Sequence, residues 1–177
     1  MAFGLKYDNL EKFLRSYGKY IVRQARGILN KKDKNVSGDL SKSLRYQLTE
    51  ESDGFKIQFL ARKYGKFVSK GVRGTKGTRT YIDKFGKRKR SPFKFKKQPP
   101  SQVIESWIKS RGIQGRDKKG RYMKRKSLAF LIARSIKQKG IPAASFYTKP
   151  LSMSYNYFKE ELIKNFKEDV IKEIKTI

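Results

Sequence analysis

The stretch LRYQLTEESDGFKIQFLA, residues 44–61, decides the fold class of this chain. Apolar and polar side chains alternate on both sides of Ser52-Asp53-Gly54, a run of turn-forming residues. Alternation is typical of strands with one buried face, and a short Gly-containing turn between two such runs indicates a β-hairpin. The sequence therefore predicts an antiparallel pair of strands, roughly Leu44–Glu50 and Phe55–Ala61.

Long amphipathic helices are predicted at both ends of the chain. Apolar residues recur at helical spacing from Asp8 to Leu29, and Asp8 and Glu11 have the spacing of a capping box. A second helical pattern runs from about Ser154 to Ile174. Its residues predicted to face inward are Phe158, Leu162, Phe166, Val170 and Ile174. The predicted fold class is α+β, a small antiparallel sheet flanked by long N- and C-terminal helices.

After the hairpin, a short helical pattern is followed by a region without periodicity. Tyr64, Phe67 and Val68 can form the apolar side of a short helix that ends at Gly71. From Val72 to Lys97 no periodic pattern continues. This region is predicted to be a loop or an extended arm, in which Phe85-Gly86 offers a hairpin turn.

Two further helices are predicted in the middle of the chain. One begins at Ser101 and ends at Gly112, and the other runs from Leu128 to Lys139 with Ser127 as its cap. Their inward-facing residues are predicted to be Val103, Ile104, Trp107 and Ile108 in the first, and Leu128, Leu131, Ile132 and Ile136 in the second. The loop 113–126 between them is basic, and residues 141–151 are predicted to be extended.

This pattern predicts a single domain over residues 1–177. Its core is assigned to residues 1–71 and 141–177. A basic inserted arm of loops and two short helices occupies residues 72–140. No apolar run approaches the length that crosses a membrane, and the first ten residues lack the apolar core of a signal peptide, so we expect no membrane partner.

Positive charge is concentrated in the middle of the chain. The 45 Lys and Arg residues outnumber the 15 Asp and Glu residues, which gives a formal net charge of +30. Between Arg62 and Lys126 there are 24 basic and three acidic residues, a net charge of +21. Such a segment repels copies of itself unless an anion or an acidic surface lies against it.

Two basic runs are candidate contacts to phosphates or to an acidic partner. They contain Lys84, Lys87, Arg88, Lys89, Arg90, Arg116, Lys118, Lys119, Arg121, Lys124, Arg125 and Lys126. Interleaved aromatic residues would permit stacking on unpaired bases. Two interpretations stay open: proximity to nucleic acid, and a solvated face or an arm that docks on an acidic neighbour.

Several aromatic residues are candidates for an interface with a partner. They are Tyr64, Phe67, Phe93, Phe95, Trp107, Phe146 and Tyr147. Trp107 could be an interface hot spot, but local packing against Leu128 and Ile132 is the favoured interpretation.

The composition restricts the available chemistry. The chain has no Cys and no His, which removes Cys-based metal sites, the usual general base and the usual zinc ligand. Carboxylate pairs, Lys, Tyr or a Ser–Lys pair remain as catalytic options. Three acids in the basic middle, Asp83, Glu105 and Asp117, are isolated in sequence and give a metal-dependent nuclease little support. The loop from Gly71 to Thr78 lacks the spacing of a phosphate-binding loop. The sequence therefore predicts a protein that is not an enzyme, with no cofactor and no metal site.

Three segments together resemble the neck or tail-completion proteins of tailed bacteriophages. The first is Ser37-Gly38-Asp39-Leu40 with Lys42-Ser43-Leu44 before the hairpin, and the second is Tyr64-Gly65-Lys66-Phe67-Val68 after it. The third, Phe146-Tyr147-Thr148-Lys149-Pro150-Leu151, precedes the last helix. The chain departs from the family pattern at Gly65, where the family often has Ala, and at Ser69, where it often has Glu.

The resemblance implies a structural protein of the virion, assembled in the cytoplasm of a bacterial host. It implies a ring of six or twelve copies at the head–tail junction, in contact with portal or connector and tail proteins. The basic arm would then contact neighbouring subunits or the passing double-stranded DNA. The alternative is a protein outside the virion that binds nucleic acid without sequence preference.

Overall fold

The computed structural model describes residues 6–32, 37–52 and 54–175. The chain divides into two compact units. The terminal unit comprises Met1–Ser69, Ile82–Arg88 and Ala144–Ile177, and the inserted unit comprises Lys70–Tyr81 and Lys89–Ala143. The outer bounds of the inserted unit, residues 70 and 143, lie near those of the predicted arm 72–140. The single domain over the whole chain stays a prediction.

Seven helices and six short strands follow one another along the described residues. In chain order they are α1 Asp8–Lys31, α2 Asp39–Ser43, β1 Arg45–Glu51, β2 Gly54–Leu60, α3 Gly65–Lys70, β3 Val72–Arg73, β4 Thr80–Ile82, β5 Arg88–Arg90, α4 Ser101–Ser110, α5 Arg125–Lys139, β6 Gly140–Ile141, α6 Thr148–Met153 and α7 Tyr155–Ile174. The strands pair as β1–β2, β3–β6 and β4–β5. The predicted α+β class is therefore confirmed.

The predicted hairpin is present, and its strands have nearly the predicted bounds. Strands β1 and β2 are antiparallel, from the pair Arg45 and Leu60 to the pair Glu51 and Gly54. Asp53 of the predicted turn lies outside the described residues. The alternating pattern decided this outcome, because a slip of one residue would move every apolar side chain to the opposite face.

The core of the terminal unit lies against the second half of α1. Val22, Ala25 and Leu29 of that helix are buried there. The other buried members of this cluster are Leu40, Leu44, Ala144 and Phe146. The N-terminal helix, the lead into the hairpin and the segment before the last helix therefore share one apolar cluster.

The N-terminus of α1 is capped by a residue distant in sequence. The backbone N–H groups of Asn9 and Leu10 donate to the two carboxylate oxygens of Asp169 on α7, at 3.0 and 2.9 Å. Asp169 is 1% exposed. The predicted capping box is wrong, because Asp8 is already helical and Glu11 forms an ion pair with Arg15.

In the inserted unit, α4 and α5 pack against each other. Ala129 and Ala133 are fully buried on α5, and Ile108 is buried on α4. Val103 and Leu131, predicted to face inward, are 63% and 47% exposed. The prediction counts only large apolar residues at helical spacing and overlooks alanine. The small side chain of alanine allows two helices to approach closely.

Three predicted boundaries also need correction. Helix α5 begins at Arg125, so Ser127 lies inside the helix and is not its cap. Residues 148–151, predicted to be extended, belong to α6. Strands β3, β4 and β5 lie in the region 72–97, and the predicted hairpin at Phe85-Gly86 is confirmed between β4 and β5.

In the part of the chain that the structure describes, no helix is both long and apolar enough to cross a membrane.

Candidate basic and apolar interaction surfaces

The turn between β4 and β5 is built by one carboxylate. Asp83 Oδ1 accepts hydrogen bonds from the backbone N–H groups of Phe85 and Lys87, both at 2.9 Å. The Asp83 N–H donates to the Lys87 carbonyl at 2.9 Å, and the Gly86 N–H donates to the Asp83 carbonyl at 3.1 Å. Gly86 has a φ of +80°, a conformation that side chains with a Cβ rarely adopt. These bonds fix a five-residue turn, Asp-Lys-Phe-Gly-Lys.

The loop after α4 contains the same turn. Asp117 Oδ1 accepts from the N–H groups of Lys119 and Arg121, at 2.8 and 2.9 Å. The Asp117 N–H donates to the Arg121 carbonyl, and the Gly120 N–H donates to the Asp117 carbonyl. Gly120 also has a φ of +80°. The sequence Asp-Lys-Lys-Gly-Arg thus repeats the geometry of Asp-Lys-Phe-Gly-Lys bond for bond.

Hydrogen bonding changes the acidity of the second carboxylate. The backbone N–H of Arg121 is the main cause that lowers the pKa of Asp117, and the Arg121 side chain and the Lys119 N–H act in the same direction. Asp117 also forms an ion pair with Arg121 at 3.1 Å. The carboxylate therefore stays charged and bound within its own turn.

Every basic residue predicted as a phosphate or partner contact is exposed. Two of them are also used within the second turn. The Arg116 guanidinium stacks 4.3 Å from the centre of the Tyr122 ring and donates to the Tyr122 hydroxyl at 2.7 Å. Arg121 holds Asp117. The lysines at the turns, Lys84, Lys87, Lys118 and Lys119, extend from a backbone that is already fixed.

The predicted interface aromatics fall into three groups. Tyr64 and Phe67 are exposed, at 44% and 41%, while Phe93, Phe95 and Trp107 are partly buried. Phe146 is a correction: at 2% exposed it belongs to the core cluster and has no surface to offer a partner.

Tyr147 is partly buried and has a structural role. Its hydroxyl donates to the Leu60 carbonyl at 2.8 Å and lies 3.3 Å from the Arg45 carbonyl. Burial raises the pKa of Tyr147 to about 12.

An apolar groove in the terminal unit was not predicted. It lies between α1, β2 and α7 and has a volume of about 460 Å³. Its lining residues include Leu10, Phe55, Leu162, Ile163 and Phe166. Phe166 and Ile163 are 45% and 44% exposed. The prediction that Phe166 faces inward is therefore wrong in part, because the apolar face of α7 is only partly covered.

A second concave surface, of about 610 Å³, lies between α1 and the junction of α6 with α7. Phe13, Tyr20 and Tyr157 contribute aromatic rings, and Arg23 contributes a charge. Tyr17 at its base bonds the Ser154 hydroxyl at 2.8 Å, and burial raises the pKa of Tyr17. Tyrosine and arginine are enriched in the energetic centres of protein interfaces.

Two of the three acids considered for a nuclease have other roles in the structure. Asp83 and Asp117 each build a turn, as described above. Among residues 6–32, 37–52 and 54–175, no three His, Cys, Asp or Glu side chains come together as metal ligands would. No family model, curated protein or solved structure matches this chain.

Proposed function

We propose that this chain is a structural protein of a tailed-phage virion, a ring-forming neck or tail-completion subunit at the head–tail junction. In this proposal six or twelve copies form a ring between portal or connector and tail proteins. The basic arm reaches neighbouring subunits or the passing DNA. The observation that best supports the proposal is the meeting of the three resembling segments in the core of the terminal unit.

The contacts at Gly65 show how these segments meet. A Cβ placed on Gly65 would lie 3.1 Å from Leu40 Cδ1 and 3.5 Å from Phe146 Cζ. Leu40 comes from the segment before the hairpin, Gly65 from the one after it and Phe146 from the one before the last helix. Residues far apart in sequence thus pack side by side, which supports the interpretation of the three segments as one motif.

The apolar groove supports the ring-forming part of the proposal. Ile163, Phe166 and Ile171 leave about half of each side chain exposed along α7. Soluble monomers rarely expose large contiguous apolar patches, and such patches mark interaction surfaces. In the proposed ring, the neighbouring subunit covers this face of α7.

The test is the assembly state of the purified full-length chain and of two variants on α7. Ile163→Glu places a charge in the groove, and Asn156→Glu makes the same charge change at an exposed position of the same helix. We expect light scattering and electron microscopy to show rings for the wild type and Asn156→Glu, and monomers for Ile163→Glu. Finding this chain only as isolated monomers in imaged virions would contradict the proposal.

The second candidate function is that of a non-virion protein that binds nucleic acid without sequence preference. It is favoured by the two exposed basic turns and by the charge of the middle segment. Deletion of residues 84–90 tests this candidate. It predicts that the deletion abolishes nucleic-acid affinity, and intact affinity with blocked assembly would reject it.

A further inference from the structure

We infer that the two Asp-x-x-Gly turns are DNA-contacting elements: both contact phosphates of double-stranded DNA, and the turn between β4 and β5 enters a groove. The inference rests on the proposed function only for the source of the DNA. It assigns the contact to two defined tips, at residues 83–87 and 117–121, and to the exposed cations of β5 that follow the first tip.

The first argument is the use of the acidic residues. Asp83 and Asp117 bind backbone N–H groups within their own turns, so neither carboxylate extends toward a ligand. The lysine side chains at the tips are Lys84 and Lys87 in one turn and Lys118 and Lys119 in the other, all exposed. Each tip is a rigid backbone loop with an outward positive charge, which suits a polyanion.

The second argument is the distribution of charge around the β4–β5 hairpin. Successive side chains of a strand point to opposite faces, so Arg88 and Arg90 lie on one face of β5 and Lys89 on the other. All three are exposed. A flat acidic protein surface would use one face of the ribbon. A groove of duplex DNA has phosphates along both walls, and the major groove admits a two-stranded β-ribbon.

The third argument separates duplex DNA from unpaired strands. Binding to single strands relies on bases that stack on open aromatic faces. The Phe85 ring has the Lys84 ammonium 5.0 Å from its centre, and the Tyr122 ring has the Arg116 guanidinium over it. Both rings are exposed, at 63% and 65%, but each has a cation on one face, so only the other face is left for stacking on a base.

The experiment measures binding of the full-length chain to a short labelled duplex by fluorescence anisotropy, over a range of salt concentrations. Lys84→Gln/Lys87→Gln neutralises the first tip and Lys118→Gln/Lys119→Gln the second. Lys12→Gln/Lys159→Gln makes the same charge change at exposed positions of α1 and α7. We expect the slope of log K against log salt to fall by about 0.9 for each phosphate that a tip variant no longer neutralises. The control should keep the wild-type slope.

Three outcomes would overturn the inference. Equal effects of all three variants would show that net charge binds DNA, not the tips. A single-stranded competitor that matches the duplex, with Phe85→Ala and Tyr122→Ala weakening binding most, would show stacking on unpaired bases. Wild-type DNA affinity in both tip variants, combined with failure to assemble, would show docking on an acidic protein.

The oligomeric state of the same samples is a separate readout. Monomers with normal tip effects would reject the proposed ring and leave the inference standing. Rings combined with wild-type DNA binding in both tip variants would reject the inference and leave the proposed ring standing.

Discussion

At the scale of single residues, the Tyr147 hydroxyl joins the start of α6 to the ends of both strands of the first hairpin. The phenol must stay protonated to donate to the Leu60 carbonyl. Burial raises the pKa of Tyr147 from 10.0 to about 12. A raised pKa in the folded state means that the stabilisation is complete below pH 10 and disappears as the pH rises through about 12.

We therefore predict a pH-dependent effect of Tyr147→Phe. Below pH 10 the variant should unfold with a free energy about 1 kcal/mol lower than the wild type, because the hydrogen bond is removed. The difference should shrink as the pH rises from 10 toward 12, because the wild type must then ionise a buried phenol that the variant lacks. Urea unfolding at several pH values measures it, with the exposed Tyr155→Phe as the control that should show no difference. A difference that stays constant up to pH 12 would contradict the prediction.

Asp169 shows what the pattern of single residues misses. Its apolar neighbours on α7 follow the helical pattern, and the pattern assigns a charged residue to the exposed face. The structure buries it instead, because the first turn of α1 leaves N–H groups that need acceptors. That need arises only once two helices far apart in sequence pack together, so spacing along the chain cannot reveal it.

At the scale of elements, periodic segments are predicted well and irregular ones poorly. The hairpin and both long helices have strong period-2 or helical patterns, and the structure places them within a few residues of the predicted bounds. The turns at Asp83 and Asp117 have no periodicity. Their repeated Asp-Lys-x-Gly spacing is present in the sequence. It is not noticed as a structural signal, because both copies lie within runs of basic residues.

Gly71 provides an element-scale prediction. It ends α3 with a φ of +69°, and a Cβ there would lie 2.7 Å from the Ile141 carbonyl oxygen and 2.8 Å from the Ala143 nitrogen. Gly71→Ala should lower the free energy of unfolding by at least about 2 kcal/mol, because the left-handed conformation costs a Cβ-bearing residue about 1–2 kcal/mol and the backbone contact adds to that.

The matched control is Gly27→Ala, in the interior of α1. A Cβ there meets nothing within 4 Å. Since alanine favours a helix interior over glycine, this variant should gain about 0.5–1 kcal/mol. Urea denaturation of both variants gives the comparison. Equal effects of the two substitutions would show that the backbone at Gly71 tolerates a Cβ as well as a helix interior does.

At the scale of the whole molecule, the segment 70–143 begins and ends at adjacent points of the terminal unit. The Ala144 N–H donates to the Val68 carbonyl, and the Ser145 N–H donates to the Ser69 carbonyl, both at 2.9 Å. Residues 70–143 carry 24 basic and three acidic residues, so they hold +21 of the net charge of +30. Most of the positive charge and the apolar groove are thus separable along the chain.

This separation predicts the behaviour of a chain in which a short Gly-Ser linker replaces residues 70–143. The remaining net charge is +9, since 30 − 21 = 9. The shortened chain should fold, because its core cluster is intact. It lacks the bonds of Ile82 to Ser145 and Thr148, which should cost about 1–3 kcal/mol. Circular dichroism and thermal unfolding would report both effects.

The same variant should form the proposed ring and should have little affinity for duplex DNA, because α1, β2 and α7 keep the apolar groove while both basic tips are gone. Light scattering and anisotropy measure the two properties on one sample. A shortened chain that fails to fold would show that residues 70–143 are an integral part of one cooperative domain. A folded chain that stays monomeric would place the assembly surface within residues 70–143, since the groove alone then does not join the subunits.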